Sequence, residues 1–248
     1  MELLGLIVAI VGLIVALVIG LWHIRGIRHV ELDVRQQYAN LEVIRASVST
    51  HFLKEFPHCL EDIVNLINKA QREVVILCDF PAYGSFSNPA DFLKYRQAIE
   101  RKIQDGISIT ITCFREARQK TVCAEQFAAV DENLESLKGN KAALDKLQRF
   151  LKFYAPSQTV DKLTKTEFLN LLTTQDDRML RESFSGAIVH PVDAHLSLYF
   201  WVIDGAQAVF SIPVISDRAS EYGFYTSDGR LIMAFEDMLS RLHRGSGA

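Results

Sequence analysis

The sequence has no GxxxxGK[ST] phosphate loop, no GxGxxG dinucleotide fingerprint, no HExxH zinc helix and no GxSxG nucleophile elbow, so most nucleotide-cofactor and hydrolase classes have no positive support. Cysteine is scarce: Cys59, Cys78, Cys113 and Cys123 show no CxxC spacing, which argues against a thiolate-held zinc. Cys78 and Cys113 fall in apolar, strand-like runs where a reduced thiol packs as a small hydrophobe. Six Pro and 13 Gly in 248 residues are too few for collagen-like, low-complexity or largely disordered chains. Neither charge sign dominates. With 27 basic against 30 acidic residues and a pI near 6.2, nucleic acid is not the expected partner, because phosphate neutralisation needs an excess of Lys and Arg. No cofactor and no metal site is expected. The segment His190-Pro191-Val192-Asp193-Ala194-His195 offers two imidazoles and a carboxylate, but its spacing fits no standard ligand pattern and reads as a solvated loop.

One long apolar run is present. Leu3 to Trp22 contains no charged and no strongly polar residue, and twenty residues at helical rise span about 30 Å, the thickness of a bilayer core. A secretory signal would have a positive leading region, a shorter run and a small-residue cleavage site, none of which is there. Residues 1–24 are therefore expected to be a transmembrane helix. Arg25 and Arg28 follow it with no Lys or Arg on the other side, which predicts a single-pass membrane protein with its C-terminal part in the cytoplasm. Gly5, Ala9, Gly12, Ala16 and Gly20 line one face of that helix, and small residues in such a row let helix backbones approach closely. A homodimer or higher homo-oligomer is one expectation from this face, and common membrane-helix composition is the other.

Residues 25–57 read as a juxtamembrane helical linker, with Val30, Val34, Tyr38, Leu41, Ile44 and Val48 at helical spacing over about His29 to Phe56. After Pro57 a second amphipathic helix carries Leu60, Ile63, Val64 and Ile67 to about Gln71. Glu73 to Cys78 is a short β-branched run, followed by a Gly/Pro/Asn/Ser loop with Tyr83, Gly84, Ser85, Ser87 and Asn88, a helix over Ala90 to Gln104, and a second strand over Ile107 to Phe114. Strand, helix, strand at this spacing predicts a parallel pair whose sheet is covered by helices. The loop leaves the C-terminal end of a strand, where open α/β sheets place ligand crevices. Residues 115–183 are helical and charged, too long for a loop, and read as a helical insertion. Strands are then expected over Gly186–His190, His195–Asp204, Ala206–Ile212 and Glu221–Thr226, before a final helix from Asp228 to about His243. The end, 245–248, reads Gly-Ser-Gly-Ala and resembles an expression-vector remnant.

The run Tyr199-Phe200-Trp201-Val202-Ile203-Asp204-Gly205-Ala206-Gln207-Ala208-Val209-Phe210-Ser211 resembles the C-terminal part of a phospholipase D-like domain, in which a strand bearing His-x-Lys-x4-Asp turns through Gly into a second strand ending near Ser. The helix from Leu60, the strand EVVILC, the helix ending at Asp105-Gly106 and the strand ISITITCF are similar to that fold's first βαβ unit, and Glu221-Tyr222-Gly223-Phe224 with the final helix to its close. The resemblance implies an α/β fold, a phospholipase D-like αβα sandwich with a mixed sheet, over residues 58–244. It also implies two copies paired across a dyad. With Asp204 in place of the motif Asp, the motif His falls on Ser197 and the motif Lys on Tyr199. The family's chemistry needs an imidazole nucleophile, a second imidazole as acid and an ammonium on the phosphoryl charge. Hydroxyls supply none of these. Strand alternation puts His195 on the face of Ser197 and Tyr199, but one pleat repeat away, about 6–7 Å.

The expectation is a non-catalytic domain acting as a ligand-binding sensor, scaffold or membrane-tethered effector. Its pocket is formed by Ser197, Tyr199, Asp204 and Ser211, with His195 and Glu221 beside them, and it recognises a phosphate-bearing small molecule or a protein partner. One alternative is a divergent phosphodiesterase with His195 as nucleophile. Another is a purely structural homo-oligomeric assembly module.

Overall fold

The structure, a computed structural model, describes residues 49–213 and 221–245. The transmembrane run, its row Gly5, Ala9, Gly12, Ala16 and Gly20, and the linker to Val48 lie outside the described residues. Among those that are described, no helix is long and apolar enough to cross a membrane.

Seven strands form one mixed sheet. In chain order the elements are β1 (Thr50–Glu55), α1 (Leu60–Ile67), β2 (Glu73–Leu77), α2 (Pro89–Gln104), β3 (Ser108–Phe114), α3 (Glu116–Gln126), α4 (Glu135–Lys138), α5 (Lys141–Tyr154), α6 (Lys165–Arg178), β4 (Ile188–Val192), β5 (Tyr199–Ile203), β6 (Gln207–Pro213), β7 (Glu221–Thr226) and α7 (Gly229–Gly245). The strand order is β1-β7-β6-β5-β2-β3-β4. β2, β3 and β4 run parallel, and β5, β6, β7 and β1 continue the sheet antiparallel from β2. A mixed sheet covered by helices fits the phospholipase D-like architecture expected from the sequence. β2 and β5 are buried on both faces, which is why they read as unbroken apolar runs.

Neighbouring residues of β5 show how the layers divide. Trp201 donates to the Tyr95 hydroxyl of α2 at 3.2 Å, while Phe200 stacks on Phe235 of α7 at 4.8 Å. Successive strand side chains point to opposite faces, so α1 and α2 cover one face and α7 the other. On the α7 face one row of paired residues crosses all seven strands: Phe52, Phe224, Phe210, Phe200, Leu77, Thr112 and His190.

Two expectations are corrected. The helix read to Phe56 does not extend over Thr50–Glu55, which is β1, paired with β7 through Thr50 to Thr226, His51 to Tyr225 and Phe52 to Phe224. Cross-strand β-branched and aromatic pairs with a ready partner edge outweigh a weak helical stripe. β5 begins at Tyr199 rather than His195, so residues 195–198 have no strand alternation. Helices α3 to α6 occupy the charged stretch after β3 and bury a second apolar cluster that includes Leu134, Leu147, Phe150, Leu151 and Phe168. Phe86, from the loop after β2, packs its ring 5.4–6.1 Å from Phe127, Phe150 and Phe168, so this loop joins the helical segment to the sheet.

Candidate functional site: a hydroxyl–carboxylate cluster at the strand ends

The βαβ unit and the meander β5–β6–β7 meet at the C-terminal end of β2. There β5 presents Tyr199 at its start, β6 presents Ser211 directly opposite, and β7 begins with Glu221. Asp79 follows β2, and Tyr83 comes from the loop beyond it. Gly84, at φ +86°, turns that loop, and a Cβ there would lie 2.9 Å from Leu60. The tight turn drives the Tyr83 ring into the layer between Phe56 (4.9 Å), Trp201 (4.7 Å) and Tyr199 (6.1 Å).

The polar atoms form two linked sets. The Tyr83 and Ser211 hydroxyls both donate to Glu221 Oε1. The Tyr199 hydroxyl donates to Asp79 Oδ2 at 3.2 Å, and Asp79 Oδ1 accepts the Phe80 N–H at 2.7 Å. Burial pushes the Glu221 carboxyl up to about 7, partly offset by the Ser211 and Tyr83 hydroxyls, with the Asp79 charge adding to the rise. Burial pushes Asp79 up to about 6, against the Phe80 N–H and the Tyr199 hydroxyl. Burial, with the nearby carboxylates, also raises both tyrosines, so both remain O–H donors. The Cys59 thiol is pushed up to about 12 by burial and then by Glu221, so it is not a thiolate. Among the described residues no Lys, Arg or His pairs with Asp79 or Glu221. The arrangement can hold and exchange protons, but it contains no imidazole or ammonium for phosphorus.

Three of the six expected pocket residues, Tyr199, Ser211 and Glu221, are brought together here. Ser197 and His195 are exposed in the segment before β5 and are not part of the cluster. The one-pleat displacement inferred for His195 does not apply, because that segment is not a strand. Asp204 stands at the other end of β5, five residues or about 16 Å from Tyr199. Its carboxylate takes the N–H groups of Gln71 (3.0 Å), Arg72 (2.8 Å) and Glu73 (2.9 Å), a structural clasp rather than a pocket wall. Slight burial raises its pKa, but these N–H groups and the Arg72 guanidinium outweigh that and hold it below the usual carboxylate range. His190, Asp193 and His195 do not converge: His190 packs on His243, and Asp193 pairs with Arg115 at 3.1 Å.

No protein-family model and no curated protein matches the sequence. Solved structures do. TrmBL2, an archaeal chromatin protein described as showing a novel mode of DNA binding, is 12% identical over 89% of this chain and 64% of its own, with a TM-score of 0.39. This chain thus spans less than two thirds of TrmBL2. Nuc from Salmonella typhimurium, a phospholipase D family member, is 10% identical over 81% of this chain and 96% of its own, with a TM-score of 0.39. NucT from Helicobacter pylori is 12% identical over 78% and 94%, with a TM-score of 0.37.

Sequence reasoning missed Asp79 and underused Tyr83. Asp79 directly follows the apolar strand run, at the end where open α/β sheets carry their chemistry, and that position was the available signal.

Proposed function

We propose that this chain is a single-pass membrane protein whose phospholipase D-like domain does not hydrolyse phosphodiesters and works by binding, as a cytoplasmic sensor, scaffold or effector. The observation that carries the reading is the cluster itself. Tyr199, which stands at the motif Lys position, and its neighbours Tyr83 and Ser211 commit their hydroxyls to two half-buried carboxylates. Buried polar groups satisfied among themselves are stable in place and offer no activated nucleophile. A phosphate-bearing ligand at this point would meet acceptor oxygens and no cation, so the reading favours a protein partner on the surface over phosphate in the cluster. The bilayer anchor and the homo-oligomer belong to the same proposal, resting on the length of the apolar run, the flanking arginines and the small-residue row.

The test is the full-length protein in detergent, assayed against bis(p-nitrophenyl) phosphate and against phospholipid and DNA substrates, alongside His195→Ala. The expected result is turnover at the uncatalysed background for both proteins. Hydrolysis by the wild type that disappears in His195→Ala overturns the non-catalytic reading in favour of a phosphodiesterase.

A further inference from the structure

On the α7 face, Thr112 and His190 are register partners on β3 and β4, and His243 from the end of α7 sits over both. Its ring lies 4.1 Å from the His190 ring, tilted by 32°, and Thr112 Oγ1 is 2.9 Å from His243 Nε2. Thr112 is fully buried. The helix up to Leu239 is held differently. Ile232, Phe235 and Leu239 are buried, with Phe235 against Phe200 and Phe210. Beyond Leu239, Leu242 packs partly buried on the core, and the imidazole pair adds a polar contact. Beside it opens a cleft of about 640 Å³, walled by Met238, Arg241 and Leu242 of the helix and by Arg115 and Asp193 of the sheet edge.

We propose that the His190–His243 stack is an acid-released clasp, which holds the end of α7 beyond Leu239 on β3 and β4 when both rings are neutral and lets it swing away, widening the cleft, when they charge. Two imidazolium rings at stacking distance repel, whereas the Thr112 hydroxyl can bond Nε2 of His243 as donor or acceptor and so does not oppose or drive the release. The surrounding charges do not compensate. On α7, Asp237 is engaged by Arg241 at 2.6 Å, and Arg244 bonds the Ser240 carbonyl at 3.1 Å. On the sheet side, Asp193 is engaged by Arg115 at 3.1 Å. The basicity of His243 is lowered by burial and then by His190, and no carboxylate contributes to it.

The experiment is hydrogen–deuterium exchange on the full-length protein in detergent at about pH 8 and about pH 5.5, corrected for intrinsic exchange. The peptide over 238–245 is compared with that over 229–235. The expected result is a loss of protection of about tenfold or more at acid pH over 238–245 alone. In His190→Phe, which keeps a ring on His243 but carries no charge, that loss shrinks to under about threefold. His190→Gln is the second variant, should the larger ring perturb β4. Equal protection of 238–245 at both pH values, or an acid loss of the same size in both variants, overturns the clasp.

Discussion

The two faces of the sheet carry proton-binding groups that burial moves in opposite directions. On the α1–α2 face, burial drives the Asp79 and Glu221 carboxyls up to about 6 and about 7. On the α7 face, burial drives His243 down. In both places a low-dielectric setting disfavours the charged form. For a carboxyl the neutral form is the protonated one, so the folded state binds extra protons. The stability this contributes is complete below the unfolded pKa, near 4, and is lost as pH rises through the folded values of about 6 and about 7. For an imidazole the neutral form is the unprotonated one, so its contribution is present above the unfolded pKa of about 6.5 and is lost as pH falls. Burial alone therefore does not set the direction of a pH response, which depends on the charge type of the buried group.

Three substitutions break or sharpen this contrast. The largest effect is expected from Tyr83→Ala, which removes a buried ring packed on Phe56, Tyr199 and Trp201 and leaves Glu221 with Ser211 as its remaining hydroxyl partner. Chemical denaturation should report a loss of about 3–5 kcal/mol, while exchange protection at the end of α7 keeps its wild-type pH dependence. If that dependence collapses as well, the two faces are not independent. Glu221→Gln should stabilise the protein by up to about 3 kcal/mol near pH 8 and by almost nothing near pH 4, because the amide keeps an acceptor for both hydroxyls without the buried charge. Denaturation midpoints across that range test it, and a uniform loss of stability would show that the negative charge is needed. The smallest effect belongs to His243→Gln. Thermal melts should move by less than about 1 kcal/mol at pH 8, with a shallower decline between about pH 6.5 and about pH 5.

The parts of the fold that could be read from sequence are those with one dominant local signal. EVVIL, SITITCF and YFWVI are apolar because they are covered, and each is a strand. Asn88-Pro89 announces α2 through an N-cap whose side chain accepts the Asp91 N–H. β1 could not be read in the same way, since Phe52 and Lys54 carry little pattern until the edge of β7 is beside them. The site divides along the same line. Tyr199, Ser211 and Glu221 lie in strands whose order is local, whereas Asp79 and Tyr83 meet partners 120 and 138 residues away. Motif spacing also placed Asp204 in a pocket, because a motif position gives no direction along the strand, and the N–H groups of residues 71–73 that hold its carboxylate stand at the opposite end of β5.

That carboxylate has a consequence for how the chain finds its alignment. β2 and β5 are the seam between two halves of the protein that are separated in sequence by the whole helical excursion, and the hydrogen bonds of Asp204 cross that gap of 131–133 residues. A slip of one residue at the seam would turn Trp201 and Phe200 to the wrong layers and leave three N–H groups without an acceptor. Asp204 thus works as an index pin: whatever the length of chain between the two halves, the seam closes at the same notch.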